Sequence, residues 1–294
     1  ALRAAEADAA AGRASVKTAR INRQYTVVSA PVAGRIGRCR QIVELAFGRP
    51  DRPAQAGIGP LQGLLHRLVE SQEHVATLGY VDTLEEQAVL EALLDSVKPP
   101  WPADSGRLHY LLRTPFRYPP LPWGSRFGRS HEPSLLYGGR DLGATLAESA
   151  YYRFVFWWSM DAPPAGDAIQ SQHTLFSAGY RTDRGLRLQD PPFDAHRAAL
   201  TDPVRYRATQ ALGTDMRAAG VEAFEYPSAR DPAQGLCVGL FTPRALAGKT
   251  PRDMRPWLCQ LSAREVAFKP VGDRAVHTYP LDAFLVDGRL PMPA

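Results

Sequence analysis

The part of the sequence from residue 108 onward is a series of short apolar runs interrupted by Pro, Gly and charged residues. Runs of this length are typical of strands, whereas the stretches 142–156 and 204–219 are long and periodic enough for helices. The predicted strands are not each followed by a helix, so the regular alternation of a doubly wound parallel sheet is missing. The pattern therefore predicts an α+β domain of short strands with few helices.

The individual strands are predicted from apolar runs and from the residues that end them. They are expected at 108–114, 134–137, 174–180, 222–226 and 236–241, with a closing hairpin of 264–269 and 275–279 around Gly272 and Asp273.

The helices are predicted from their end signals as well as their periodicity. Asp141 is expected to cap the helix at 142–156, and Gly220 is expected to end the helix at 204–219. The buried stripe of the first of these helices is expected to contain Leu142, Leu146, Ser149, Tyr152, Val155 and Phe156.

Residues 1–103 have a different texture from the rest of the sequence. They are rich in Ala and Arg up to Arg49, and a turn-rich stretch at 50–60 follows. Apolar residues then recur at three- and four-residue steps, which predicts a helical hairpin over 61–98. The chain is therefore expected to divide into a mainly helical N-terminal extension (1–103) and a second domain (104–294).

The sequence contains no apolar stretch long enough for a membrane helix, and residues 1–20 lack the apolar core of a secretory signal. We therefore expect a cytoplasmic protein that does not contact a membrane. Cys39, Cys237 and Cys259 are widely spaced and form no C-x-x-C pair, so they are expected to be buried thiols. The histidines are scattered as well, and no metal site is predicted.

The positive charge of the chain comes almost entirely from arginine. The formal net charge is +5, and Lys17, Lys98, Lys249 and Lys269 are the only lysines. Guanidinium groups suit phosphate, so a phosphorylated ligand or an acidic partner is favoured. A genome that encodes Arg in preference to Lys explains the same composition. Neither a P-loop nor a G-x-G-x-x-G turn is present, so a nucleotide would have to bind in another way.

Five polar residues near the ends of the predicted strands could form a catalytic site: Arg113, Arg126, Tyr137, Glu148 and Ser228. Cleavage of the N-glycosidic bond of NAD⁺ develops positive charge on the ribose, which a carboxylate such as Glu148 can stabilise. Guanidinium groups can hold the diphosphate, and an aromatic ring can pack on the ribose or nicotinamide. Each of these residues also has an ordinary interpretation as a salt-bridge, core, helix or turn residue.

The motifs around these five residues resemble the RES-domain toxins of bacterial toxin–antitoxin pairs. The similarity runs from about residue 108 to 241. It rests on five short motifs, Leu111-Leu112-Arg113-Thr114, Gly124-Ser125-Arg126-Phe127-Gly128, Leu135-Leu136-Tyr137, Thr145-Leu146-Ala147-Glu148 and Tyr226-Pro227-Ser228-Ala229-Arg230-Asp231-Pro232. The chain departs from the usual family pattern at Thr114, Ser125 and Phe127.

This resemblance implies an ADP-ribosyltransferase-like fold and NAD⁺ as the substrate, degraded by hydrolysis or phosphorolysis. It implies that Glu148, Arg126 and Tyr137 are catalytic, and that Arg113, Arg126, Tyr137 and Ser228 bind NAD⁺. It also implies a cognate antitoxin with an Xre-like DNA-binding domain. Because the arginines are spread along the whole chain and not gathered on one face, no direct contact with nucleic acid is expected.

Two alternatives remain at this point. One is a mono-ADP-ribosyltransferase that modifies a host protein, which would differ only at the rim of the site. The other is a non-enzymatic module whose basic surface binds nucleic acid.

Overall fold

The computed structural model describes residues 57–71, 80–162, 164 and 166–293. Within these residues the chain forms an eight-stranded sheet and five α-helices. The strands are β1 (Gly59–Glu70), β2 (Leu136–Gly139), β3 (Ala168–Arg187), β4 (Ala223–Pro227), β5 (Leu236–Leu240), β6 (Arg252–Ser262), β7 (Glu265–Pro270) and β8 (His277–Pro280). The helices are α1 (Leu84–Ser96), α2 (Tyr110–Arg113), α3 (Leu142–Trp158), α4 (Arg197–Leu200) and α5 (Arg207–Ala218).

The sheet is mostly antiparallel and has the strand order β1-β2-β5-β4-β3-β6-β7-β8. Only the short pairing of β3 with β4 is parallel among the pairings of these strands. Strand β1 also pairs with β3 over most of its length, which closes the first five strands of this order into a ring. The predicted α+β class is confirmed. No helix in the described ranges is long and apolar enough to span a bilayer.

The N-terminal half of the predicted helical hairpin is wrong. Residues 59–70 form β1 because the strand finds a continuous partner in β3, a tertiary contact that overrides the helix-like spacing of its leucines. The second half is confirmed by α1, which begins at a capping box formed by Thr83 and Glu86. The division of the chain at residue 104 stays a prediction, but β1 belongs to the same sheet as the strands that follow.

The strand predicted at 108–114 is also wrong, because this segment forms the short helix α2. The Nδ1 atom of His109 accepts a hydrogen bond from the backbone N–H of Leu111, which caps the helix, and a 3₁₀ turn containing Pro115 follows. The apolar side chains Leu111 and Leu112 are buried as predicted, but on a helical turn.

Helix α3 begins where the sequence predicts. The Asp141 side chain accepts a hydrogen bond from the backbone N–H of Ala144 at 2.8 Å. Its predicted buried stripe is only partly correct, because Tyr152 and Phe156 are exposed. The buried residues of the helix are Ala144, Thr145, Leu146, Ala147, Ala150, Tyr151, Phe154 and Val155.

The remaining predicted elements are present, most with small differences in their bounds, but the strand predicted at 174–180 is much longer and runs from Ala168 to Arg187 as β3. Helix α5 is followed by Gly220 in a left-handed conformation, and β7 and β8 form the closing hairpin. Strand β6 was not predicted, because exposed charged residues precede its alternating buried positions Trp257, Cys259 and Leu261. Cys237 and Cys259 are free and buried as expected, whereas Cys39 lies outside the described residues.

The backbone of α5 approaches the loop that precedes β2 very closely at Gly213. A Cβ atom added there would overlap the backbone carbonyl of Phe127. An Ala in a helix is ordinarily favoured over Gly by about 1 kcal/mol, but this overlap forces the helix and the loop apart. We expect Gly213→Ala to lower the free energy of unfolding by about 1–3 kcal/mol in denaturant titrations. Gly106→Ala is the control, since no atom lies within 4 Å of its added Cβ.

Candidate active site

A cavity of about 540 Å³ opens beside α3, β1 and β2. Its volume lies in the range usual for small-molecule and cofactor sites. Arg126, Tyr137 and Glu148, three of the five predicted site residues, line this cavity. The fold therefore brings together Arg126 from the loop before β2, Tyr137 from β2 and Glu148 from α3.

Arg126 is presented to the cavity by a tight turn. Gly124 has a φ of +76°, a conformation that favours glycine, and the backbone N–H of Ser125 donates to the Gly128 carbonyl at 2.7 Å. The Gln210 side-chain amide holds the turn from α5 by donating to the Trp123 and Ser125 carbonyls. The position of Arg126 is therefore fixed from both sides of the turn.

Arg126 is 7% exposed, and its guanidinium group has no carboxylate within ion-pairing distance among the described residues. Its Nη1 atom donates to the carbonyls of Leu200 and Asp202, at 3.3 and 2.9 Å, and its Cζ atom lies 4.6 Å from the ring centre of Tyr206. Burial lowers the pKa of Arg126, but Tyr206, Glu148 and other acidic groups outweigh it and raise the pKa above its ordinary value. The cavity wall therefore carries a permanent, incompletely compensated positive charge.

Tyr137 has its hydroxyl oriented toward the Arg126 turn. The hydroxyl oxygen accepts a hydrogen bond from the backbone N–H of Phe127 at 3.0 Å and is 3.0 Å from Ser125 Oγ. Burial raises the pKa of Tyr137 to about 12, so the phenol stays protonated. Its hydroxyl therefore fixes the turn, and its ring forms part of the cavity wall.

Glu148 is half-buried on α3, and one of its two carboxylate oxygens is held by the protein. The Ser228 hydroxyl donates to Glu148 Oε1 at 2.6 Å. The same Ser228 oxygen accepts the backbone N–H groups of Arg230 and Asp231, at 3.1 and 3.0 Å, so its proton must point to the carboxylate. No described residue donates a hydrogen bond to Glu148 Oε2, which leaves that oxygen for a ligand.

Cys237 and Tyr226 complete the floor of the cavity around Glu148. The Cys237 sulfur lies 3.8 Å from Glu148 Oε1 and can donate its proton to it. Burial, and then the neighbouring Glu148 carboxylate, raise the pKa of the Cys237 thiol well above its ordinary value. The thiol is therefore a protonated neighbour of the carboxylate and not a nucleophile.

Comparison with protein families gives a match over the part of the chain that contains the predicted site residues. The model of the RES domain matches residues 99–262, which is more than half of the chain. The chain belongs to the RES domain family. The matched range contains all five site residues predicted from the sequence, whereas β1 precedes it.

Comparison with solved structures gives distant neighbours of this RES domain. One of them is a chain of the crystal structure of the M. tuberculosis MbcT–MbcA toxin–antitoxin complex, with 11% sequence identity and a TM-score of 0.38. The alignment covers 76% of this chain and 92% of that chain. No curated protein matches the sequence.

Two of the predicted residues of the RES domain do not line the cavity, and they differ in what they do. Ser228 acts on the cavity through Glu148, as described above. The Arg113 guanidinium lies 3.9 Å from the ring centre of Trp101, and its Nε atom is buried with no hydrogen-bond partner in the described part of the chain. A phosphate-binding role for Arg113 gains no support from this placement and stays a prediction.

Sequence reasoning missed the side of the cavity that β1 forms. Arg67 lies on this strand, lines the cavity and donates from Nη1 to the Tyr137 carbonyl at 3.1 Å. Although part of its surface faces the cavity, burial lowers the pKa of its guanidinium to about 10, which still leaves it charged at neutral pH. The leucine spacing of residues 61–69 predicts a helix. Only as part of a strand does Arg67 lie beside Tyr137, so the sequence does not indicate its place in the cavity.

Tyr206 and Tyr226, which also line the cavity, were missed as well. Tyr206 follows a loop after α4, and Tyr226 lies on β4, so only the folded chain places them beside Arg126 and Glu148. Among the described residues, no group of three or more His, Cys, Asp or Glu side chains could hold a metal ion.

Ser228→Ala should lower the rate of any reaction that depends on the Glu148 carboxylate. The change removes the hydrogen bond to Oε1 and leaves the backbone N–H groups of Arg230 and Asp231 without their acceptor. We expect about a tenfold fall in kcat, equivalent to one hydrogen bond to a charged group.

A matched control for this variant exists on the hairpin between β6 and β7. Ser262 Oγ accepts the backbone N–H groups of Arg264 and Glu265 in the same local pattern, but it does not line the cavity. Ser262→Ala should therefore lower the melting temperature without changing kcat. Equal kcat values for the two variants would show that Ser228 acts only on the fold.

Proposed function

We propose that this RES domain is the toxin of a toxin–antitoxin pair and that it consumes NAD⁺ by cleaving the bond between nicotinamide and ribose. The observation that carries this proposal is the carboxylate of Glu148, held at one oxygen by Ser228 and open at the other, in a cavity that buried Arg126 also lines. A fixed carboxylate stabilises a glycosidic cation, and the guanidinium attracts an anionic dinucleotide.

The reaction breaks the C1′–N bond and forms a C1′–O bond, and when the acceptor is water one proton is released to the solvent. The electron pair of the C1′–N bond moves onto the pyridinium nitrogen, so that nicotinamide leaves as a neutral molecule. The ribose acquires oxocarbenium character, and its positive charge lies beside Glu148 Oε2 while an acceptor oxygen adds to C1′. The Ser228 hydrogen bond and the Cys237 thiol fix the orientation of the carboxylate before the charge develops.

In this proposal, Arg126 and Arg67 bind the diphosphate. Both line the cavity, and neither forms an ion pair with a described carboxylate. In this proposal Arg67 has the phosphate-binding role that the sequence predicts for Arg113. The rings of Tyr137 and Tyr226, which meet edge to face with centres 6.3 Å apart, provide an apolar surface for the nicotinamide ribose.

The acceptor distinguishes this proposal from transfer of ADP-ribose to a protein. Purified protein is incubated with NAD⁺ in phosphate-free buffer, in phosphate, and with cell extract. Product analysis then identifies free ADP-ribose, a phosphorylated ADP-ribose, or labelled protein. We expect a small-molecule product, and labelled protein alone would favour the mono-ADP-ribosyltransferase.

The toxin part of the proposal rests on membership of the RES family and implies an antitoxin, as the family resemblance does. Induced expression of the chain alone should arrest growth and lower cellular NAD⁺, whereas the Glu148→Gln variant should do neither. Normal growth with unchanged NAD⁺, despite abundant folded protein, would contradict it. A non-enzymatic nucleic-acid-binding module would instead show salt-dependent DNA binding without NAD⁺ loss.

A further inference from the structure

Helix α3 presents one continuous side to the cavity. Its cavity-lining residues are Thr145, Glu148, Ser149, Tyr152 and Arg153. At about 100° per residue, Glu148 and Arg153 stand roughly 140° apart around the helix axis and about 7.5 Å apart along it. They therefore mark opposite edges of this side, so a ligand beside Glu148 that extends across it approaches Arg153.

The guanidinium of Arg153 is enclosed but poorly satisfied. Its side chain is 14% exposed, and its Nε atom is buried with no hydrogen-bond partner among the described residues. The hydrogen bonds of its other two nitrogens are long, 3.5 Å from Nη1 to Glu70 Oε2 and 3.3 Å from Nη2 to Ser171 Oγ, and its Cζ atom lies 5.1 Å from the ring centre of Phe156. Guanidinium groups that complete their hydrogen bonds to carboxylates or phosphates lie closer, at about 2.7–2.9 Å.

The charges around Arg153 leave this end of the cavity positive. His173 lines the cavity nearby, and burial, followed by the charge of Arg153, lowers the pKa of His173 to about 4. This imidazole is therefore neutral at physiological pH. The carboxylate of Glu70 is 62% exposed, so water screens its attraction for Arg153. Arg67 on the same strand as Glu70 adds a second guanidinium to the cavity wall.

From these contacts we propose that Arg153 is a substrate-binding residue that recognises a phosphate group of the substrate. This inference rests on the proposed function, because it places the ribose that reacts beside Glu148 and the phosphate toward the other edge of α3. A phosphate oxygen there accepts hydrogen bonds from the incompletely satisfied guanidinium. Arg153 makes the cavity selective for nucleotides over the corresponding nucleoside.

The test compares nicotinamide release from NAD⁺, nicotinamide mononucleotide and nicotinamide riboside, which lacks phosphate. For Arg153→Met we expect KM for the two phosphorylated substrates to rise by about tenfold or more, which corresponds to one charge-assisted hydrogen bond. The constants for nicotinamide riboside should not change. Arg153→Lys should recover part of the affinity, because it restores the charge without the planar fork.

Arg117→Met is a matched control for the loss of a buried guanidinium. Arg117 is 6% exposed and pairs with the carboxylate of Asp95, which is 62% exposed like that of Glu70. It lies over the ring of Trp101 and does not line the cavity. It should lower stability without changing the ratio of constants between substrates. If Arg153→Met leaves all KM values unchanged, or affects nicotinamide riboside as strongly as NAD⁺, the proposal is wrong.

Failure of the proposed function is a separate result. It would appear as no nicotinamide release from any substrate by the parental protein. In that event, calorimetric titration of parental protein and Arg153→Met with ADP-ribose still tests the inference, since a phosphate-binding Arg153 requires weaker binding by the variant. Equal affinities of the two proteins, or no ADP-ribose binding by the parental protein, would overturn it.

Discussion

Replacing Glu148 by Gln should reduce nicotinamide release from NAD⁺ by about a hundredfold or more. The amide has the shape of the carboxylate, and its oxygen can still accept the Ser228 hydrogen bond that holds Oε1. In the proposed reaction, what it loses is the negative charge beside the developing ribose cation. The variant should therefore fold normally and bind NAD⁺, and the loss should appear in kcat and not in KM.

Steady-state kinetics and thermal melting of the Glu148→Gln variant provide this measurement. Glu85→Gln on the first turn of α1 is the control, because it removes one carboxylate that does not line the cavity. It should leave kcat unchanged. A Glu148→Gln enzyme with nearly parental kcat would remove the carboxylate from the mechanism, whatever the fate of the other residues.

Replacing Arg126 by Lys should lower kcat/KM by roughly tenfold to a hundredfold, the effect of losing charge-assisted hydrogen bonds to a phosphate. A lysine keeps the charge but cannot bind two oxygens with a planar fork. It also cannot reproduce both the carbonyl contacts to Leu200 and Asp202 and the stacking on Tyr206. Because Arg126 carries charge close to Glu148, we expect both KM and kcat to change.

Arg113→Lys is the comparison for Arg126→Lys. The sequence predicts a binding role for both arginines, but Arg113 stacks on Trp101 and does not line the cavity. With this geometry, Arg113→Lys should lower the melting temperature and leave the kinetic constants unchanged. A rise in KM for Arg113→Lys, with no change for Arg126→Lys, would place the substrate elsewhere.

The fold could be predicted where local signals decide the structure. The Asp141 cap fixes the start of α3, Gly220 ends α5, and the turn at Gly272 defines the last hairpin. Strand β1 could not be predicted, because its leucine spacing is helical and its conformation depends on pairing with β3, more than a hundred residues away. The helical turn α2 was missed because a short apolar run does not distinguish a strand from a buried helix.

The site could be predicted where a residue type is needed by the chemistry and lies in a recognisable motif. Arg126, Tyr137 and Glu148 meet in one cavity, and Ser228 is joined to Glu148. Arg67 and Arg153 were not predicted because their importance depends on which strand and which side of α3 they occupy. An arginine on β1 or at the edge of an apolar helix has no local signal that separates it from an ordinary surface arginine.

The central claim is tested most directly by incubating the purified parental protein with NAD⁺ and measuring free nicotinamide by chromatography, with Glu148→Gln assayed in parallel. The proposed function predicts catalytic release, many nicotinamide molecules for each protein molecule, that falls by about a hundredfold or more in the variant. Absence of release by folded parental protein, in the presence of phosphate and of cell extract, would contradict the claim. So would equal release by the parental protein and Glu148→Gln.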